Sequence, residues 1–168
     1  NYFASDVIRK FHKNHPSTRV KLIDSSSNEV LLTVARGDAD FGVNFVGSLD
    51  TEVEFEPLLE ESFVVACTRD HPLASRPSVS WEDLAEFPHI SPGKGSGNRL
   101  ILDQTLAAAN IKMSSLFETQ HQTTMIGLVE AGLGIAVVPS MAMPRRDHPL
   151  LVSVSLDDPV ISRVVGLI

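Results

Sequence analysis

An α/β fold of two similar lobes is predicted by three observations. A strand–loop–helix–glycine–strand unit occurs twice, both copies carry a hydroxyl- and amide-rich loop ahead of the helix, and the apolar runs between them are short enough for buried strands. The first copy runs Val20-Lys21-Leu22-Ile23, Asp24-Ser25-Ser26-Ser27-Asn28, a helix to Arg36, Gly37, then Phe41-Gly42-Val43-Asn44. The second runs Leu116-Phe117-Glu118, Thr119-Gln120-His121-Gln122-Thr123, a helix over 124–131, Gly132 and Gly134, then Ile135-Ala136-Val137-Val138-Pro139. Each unit presents a helix N-terminus with free backbone donors. Two such ends facing one another make a cleft for a small polar or anionic molecule.

Taken in order, Phe3, Val7, Ile8 and Phe11 share one helical face. That helix stops at Asn14-His15-Pro16, with Asn14 as a left-handed cap and the proline as breaker. A strand over 20–23 follows. Ser26 and Glu29 have capping-box spacing, which starts the next helix near Ser27, with Val30, Leu31 and Val34 as its buried face. The order helix–strand–helix–strand predicts parallel strands with crossover helices. Residues 51–57 alternate apolar with acidic and read as a half-buried strand, its acids a solvated face rather than a metal site. Phe63 to Cys67 reads as a buried strand, Ser80 as the cap of a short helix over 81–85, and His89-Ile90 as a strand. The loop Ser91-Pro92-Gly93-Lys94-Gly95-Ser96-Gly97 lacks the spacing of a phosphate-binding P-loop and of a Rossmann fingerprint. It either contacts a ligand or simply connects to the helix over 98–109, which Asn110 caps.

Composition excludes several classes. The 168 residues, 43% hydrophobic, suffice for a normal core, and no apolar run is long enough to cross a bilayer as a helix. Both ends fall inside a pattern, so the chain reads as a piece of a longer protein. Fourteen basic against 21 acidic residues give a net charge of −7, which argues against this segment gripping nucleic acid by itself. Arg9-Lys10 and Arg145-Arg146 read as solvated surface. The single cysteine, Cys67, excludes an internal disulfide and a thiolate-rich metal site, and its apolar setting reads as a buried structural thiol. The six histidines have no zinc-ligand spacing, and three of them (His15, His71 and His148) precede prolines and mark turns. Only His121, in the polar loop of the second unit, is placed to touch a ligand; the other reading is a surface histidine. No catalytic constellation, metal site or cofactor motif is present.

The ordered set Phe11-His12-Lys13-Asn14-His15-Pro16, Ser25-Ser26-Ser27-Asn28-Glu29-Val30-Leu31, Arg36-Gly37-Asp38-Ala39-Asp40-Phe41-Gly42, Asp70-His71-Pro72-Leu73-Ala74 and Glu130-Ala131-Gly132-Leu133-Gly134-Ile135-Ala136-Val137-Val138-Pro139 resembles the effector-binding domain of LysR-type transcriptional regulators over nearly the whole chain. The resemblance implies a type 2 periplasmic-binding-protein-like fold: two Rossmann-like lobes joined by two crossover strands, with the effector between them. It places the first lobe at 1–66 plus 152–168 and the second at 67–151. It implies a bacterial, cytoplasmic regulator and not an enzyme, with an N-terminal winged helix-turn-helix outside this sequence as the only contact with DNA. It also implies a first strand ahead of Asn1, and a homodimer, or a tetramer in the full-length protein, in which the helix over 98–109 packs on the partner's first helix.

Position by position, the resemblance assigns ligand contacts to Ser26 and Ser27 at the first helix start and to Asn44 and Phe45 after the following strand. It assigns Gly93 and Lys94 in the second-lobe loop, and His121 and Thr123 at the second helix start. Most of these positions also emerge from the residues alone, as exposed donors where open α/β sheets bind ligands. For Ser26 the plain alternative is capping. A free-standing solute-binding protein of the same fold, or an enzyme such as a dehydratase with His121 as its acid/base group, are the rival readings.

Overall fold

A computed structural model describes residues 2–45 and 53–168. Its spine is one 13-residue strand, β2 (Glu56–Thr68), preceded by helices α1 (Tyr2–Asn14) and α2 (Ser27–Ala35) and by strand β1 (Val43–Phe45). After β2 come β3 (Ser78–Ser80), α3 (Trp81–Leu84), β4 (His89–Pro92), α4 (Gly97–Ala108), β5 (Phe117–Thr119), α5 (Gln122–Glu130), β6 (Ile135–Pro139), β7 (Leu151–Asp157) and β8 (Ser162–Leu167). The first half of β2 pairs antiparallel with β8, which pairs antiparallel with β1. The second half lies between β6 and β7, antiparallel to both, and the sheet continues through parallel partners β4 and β5 on one side and β3 on the other. Two sheet halves therefore share one strand.

The second half is packed on both faces, and the two-residue period of a strand decides which side chain goes where. From β2 and β6, Phe63, Val65, Cys67, Ile135 and Val137 enter a core with Trp81, Leu84 and Leu102. Ala66, Ala136 and Val138 enter the opposite core with Met125 and Val129 of α5. A strand covered on both faces must read as an unbroken apolar run, which is why Phe63–Cys67 and Ile135–Pro139 are legible. Cys67 is fully buried, and its thiol is pushed up to about 11 by that burial and then by Asp70.

Three helix ends share one geometry. After α2, Gly37 N–H bonds Val34 O and Asp38 N–H bonds Thr33 O; after α5, Gly132 N–H bonds Val129 O and Leu133 N–H bonds Leu128 O. After α4, Asn110 and Ile111 do the same to Ala107 and Leu106. These are Schellman ends, with Gly37, Gly132 and Asn110 at φ of 72°, 75° and 57°. The two repeated units thus end alike, as their glycines imply. A β-carbon at Gly37 meets nothing within 4 Å, so substitution there costs backbone strain alone. Gly37→Val should lower stability by about 1 kcal/mol or more; an unchanged urea midpoint would mean that α2 does not end there.

Several expectations are corrected. Residues 20–23 form no strand: a strand exists only through a ladder, and the ladder hydrogen bonds described for β1 run to β8. Val20 and Leu22 are accordingly exposed. The first half consequently contains only antiparallel pairs among the described residues, and parallel pairing is confined to the second half. In 51–57, residues 51 and 52 lie outside the described residues and the strand begins only at Glu56. Asn14 is still helical and does not adopt a left-handed conformation; the turn 15–17 after it ends the helix. Val30, Leu31 and Val34 face inward but are only half-buried, Val30 and Val34 closing over Gly42 and Ile168.

Candidate functional site at the junction of the two halves

The capping box at the start of α2 forms as its spacing requires. Ser26 N–H and the Ser26 hydroxyl reach the Glu29 carboxylate at 3.1 and 3.0 Å, and Glu29 N–H returns to Ser26 Oγ at 3.4 Å. The Ser26 hydroxyl is thus engaged in capping, while the hydroxyls of Ser27 and Thr123 make no hydrogen bond among the described residues. Asn44, at the middle of β1, ties the strand to the helix: Nδ2 donates to Ser27 O at 2.9 Å, and Oδ1 accepts from Phe45 N–H at 2.9 Å. An amide side chain can do both because it carries a donor and an acceptor on one plane.

Phe45 carries the contact across the junction. A β-carbon added at Gly97, the first residue of α4, would fall inside van der Waals distance of the Phe45 ring, so only glycine lets the ring sit against the helix start. From Gly97 the loop runs back to Gly93, whose N–H bonds Thr119 O at 2.9 Å and which lies directly under the Gln120 side chain. Lys94 is exposed, and its N–H donates to Glu118 Oε1 at 3.3 Å. His121 is the N-cap residue of α5 in position, but its imidazole makes no capping bond; Thr123 lies exposed in the first turn. Ser27, Asn44, Phe45, the 93–97 loop, Gln120 and His121 thus form one continuous rim, with the starts of α2, α4 and α5 opening on it.

Sequence reasoning missed the group beneath that rim. Arg163 of β8 and Glu61 of β2 are directly opposed on antiparallel strands. They make an ion pair at 2.7 Å with side chains 14% and 3% exposed. The second Glu61 oxygen accepts Met141 N–H at 2.9 Å. Arg163 Nη1 also donates to Asn98 Oδ1, and its guanidinium carbon stands 4.5 Å from the centre of the Phe45 ring. The available signal was Arg163, alone among the apolar residues of β8, and Glu61 in β2, where Glu56 and Glu60 are acidic too.

Away from the rim, a cavity of about 60 Å³ lies under α4, lined by His89, Arg99, Trp81 and Leu102 among others. His89 is buried and its Nε2–H donates to Leu84 O at 2.9 Å. Burial lowers its pKa below the ordinary 6.5, opposed in part by that carbonyl. The unfolded chain therefore takes up the proton first, and stability is lost as pH falls below 6.5 toward the folded-state value. His71, lowered by burial as well, acts in the same direction. The urea midpoint should be lower at about pH 5.5 than at about pH 7.5, and His89→Gln should flatten the difference; an unaltered slope would assign it to other groups.

With this geometry in view, the comparisons with known proteins are informative. The family model described as the LysR substrate binding domain matches residues 1–168. The uncharacterised HTH-type transcriptional regulator YbhD of Escherichia coli (strain K12) is 38% identical over 167 residues, 99% of this chain and 53% of the relative. The regulator YfeR of Shigella flexneri is 30% identical over 99% of this chain and 54% of its own length. The chain spans about half the length of these curated relatives. Among solved structures, the effector binding domain of QuiR in complex with shikimate superposes with a TM-score of 0.80 at 23% identity, covering 98% of this chain and 78% of that one. The Synechocystis PCC6803 CcmR regulatory domain in complex with 2-PG gives 0.81 at 21% identity, covering 99% and 80%. The fold is the periplasmic-binding-protein-like arrangement of two α/β lobes joined by crossover strands, and the chain belongs to the LysR substrate-binding domain family.

Proposed function

We propose that this chain is the effector-sensing module of a bacterial LysR-type regulator acting in the cytoplasm. It binds a small anionic metabolite between a lobe formed by 1–66 with 152–168 and a lobe formed by 67–151, with residues 63–66 and 152–157 crossing into the sheet of the second lobe. Binding alters DNA recognition by an N-terminal winged helix-turn-helix of the full-length protein, which works as a homodimer or tetramer and catalyses nothing. The observation that carries this reading is the continuity of the rim from Ser27 through Asn44 and Phe45 to Gly97, Gly93 and His121 across the junction. Residues assigned from two distant sequence regions lie along one edge.

The preference for an anion rests on local charge. The chain is at −7, but net charge acts at long range and is screened over about 8 Å at physiological salt. The starts of α2 and α5 each act as roughly half a positive charge at contact distance, and Lys94 adds a full one. Shikimate in QuiR and 2-PG in CcmR are acids of the expected size. Contacts are expected from Ser27, Asn44, Phe45, Gly93, Lys94, His121 and Thr123, with Ser26 serving chiefly the helix.

Isothermal calorimetry with a panel of small carboxylates and phosphate monoesters, shikimate and 2-PG included, tests the reading. The Ser27→Ala/Thr123→Ala variant should bind the panel's best acid more weakly, by about 1 kcal/mol for each neutral hydrogen bond lost. Wild-type affinity in that variant would make both helix starts structural caps and put the ligand elsewhere.

A further inference from the structure

We infer that the Glu61–Arg163 pair is an interlobe brace: it fixes the angle between the two halves in the effector-free domain, with Asn98 and Phe45 as its outer contacts. The inference rests on the two-lobe effector reading above, and it assigns positioning roles to Glu61, Arg163 and Asn98, which touch no proposed ligand.

Glu61 and Arg163 are side chains 3% and 14% exposed, and taking two charges out of water is unfavourable unless each is fully engaged. Both are. One Glu61 oxygen takes Arg163 Nε and Nη2 at 2.9 and 2.7 Å. The other takes Met141 N–H at 2.9 Å and the Ser140 hydroxyl at 3.5 Å. Apolar residues of the same volume often stabilise a site as well as such a pair does, so stability alone does not account for it. Arg163 also reaches in two more directions. Its Nη1 bonds Asn98 at the start of α4, in the second half, and its face lies 4.5 Å from Phe45, the end of β1 in the first half. Phe45 in turn abuts Gly97.

One guanidinium therefore contacts both halves, and it does so on β8, while its partner carboxylate sits directly opposite on β2. β2 is the strand shared by the two sheet halves, and Arg163 lies at the start of β8, which follows β7 of the second half, so any change of angle between the halves bends the chain at this point. The planar fork of arginine suits this task, because it holds Glu61 and Asn98 in one plane while leaving its face for an aromatic ring. Phe45 is also a proposed effector contact. A guest that moves the ring moves one arm of the brace, which is how occupancy could reach the angle.

Spin labels on Asp38→Cys and Lys112→Cys, exposed positions in the two halves, report the angle as a distance distribution in the 168-residue chain. The native Cys67 is buried with a raised pKa and stays unlabelled. No effector is needed, so a chain that binds none of the probe acids still tests the brace. Asn98→Ala, which cuts only the outer arm, should broaden the distribution while leaving the urea midpoint in place. Arg163→Met alone should lower the midpoint by stranding the Glu61 charge. Glu61→Gln/Arg163→Met should recover much of that midpoint yet keep a broadened or shifted distribution. A wild-type distribution in either Asn98→Ala or the double variant overturns the proposal and leaves the pair a stability element.

Discussion

Trp81→Ala is expected to destabilise the chain by about 3–5 kcal/mol, the range for removing a fully buried large aromatic. Trp81 is 2% exposed and is among the largest fully buried side chains. It packs in the core with Val79, Leu84, Leu156 and Ile161, and its Nε1–H donates to Pro159 O at 3.0 Å. It also lines the cavity of about 60 Å³ under α4, so truncation enlarges an existing void instead of opening one that neighbours can refill. The hydrogen bond separates two causes. Trp81→Phe keeps much of the apolar area but leaves the Pro159 carbonyl without its donor, and should cost about 1–3 kcal/mol. Because Trp81 is the only tryptophan, unfolding of the variants is followed by circular dichroism rather than by indole fluorescence. A loss below that of Trp81→Phe would show that the surrounding core collapses into the space.

Gly134→Ala is the second large effect, about 3 kcal/mol or more for combined strain and overlap. Gly134 sits at φ 153°, a backbone region that side chains disfavour, and a β-carbon there would run into the Pro88 carbonyl oxygen. That oxygen is already in use, accepting Ile135 N–H at 2.9 Å as β6 enters the sheet beside β4. The alanine methyl group must therefore displace either the β6 entry or the Pro88 turn, and with it the first contact between two central strands. Gly37, where no atom lies within 4 Å of the added carbon, supplies the control for strain without overlap. If Gly134→Ala and Gly37→Ala cost the same in urea unfolding, the Pro88 turn gives way freely.

What could be read in the residues follows the physics of each element. Ser26–Glu29 forms the capping box its spacing promises, Ser80 caps its short helix as expected, in a box with Asp83, and Gly37, Gly132 and Asn110 end helices, because caps are local and need no partner far away in sequence. The double-faced stretches Phe63–Cys67 of β2 and Ile135–Pro139 of β6 were legible because burial on both sides leaves no polar alternation, whereas the mostly exposed 58–62 stretch that joins 51–57 to it was not. The 20–23 segment has the apolar character of Phe63–Cys67, but a strand is made by its neighbour, and no local pattern states whether the neighbour is there. The rim was half legible. Ser27 and His121 stand at the helix starts that the repeat marks out and Gly93 in the glycine-rich loop, while Asn44 and Phe45, expected after a strand, lie within β1. Arg163, Glu61 and Asn98 come together only through the register of β2 against β8 and the reach of α4, over sequence separations of 65 and 102 residues. Such a pairing is marked in the sequence only by Arg163 among apolar residues and by Glu61 next to Glu60, with nothing local to say which acid turns inward.

The sharing of β2 between the two sheet halves also governs when the molecule can fold. All three of its ladders among the described residues are made by β6, β7 and β8, with Val64 opposite Ser155 and Glu61 opposite Arg163. A ribosome would have to release nearly all of the chain before the spine acquires its neighbours, so the β1 half cannot mature ahead of the rest. Long loops must close before any reward arrives, which slows folding and leaves apolar strand edges uncovered meanwhile. A nascent chain stalled before β7 would display Val65 and Cys67 on an open edge, a surface suited to chaperone capture, and synthesis of this domain is in effect complete before its assembly begins.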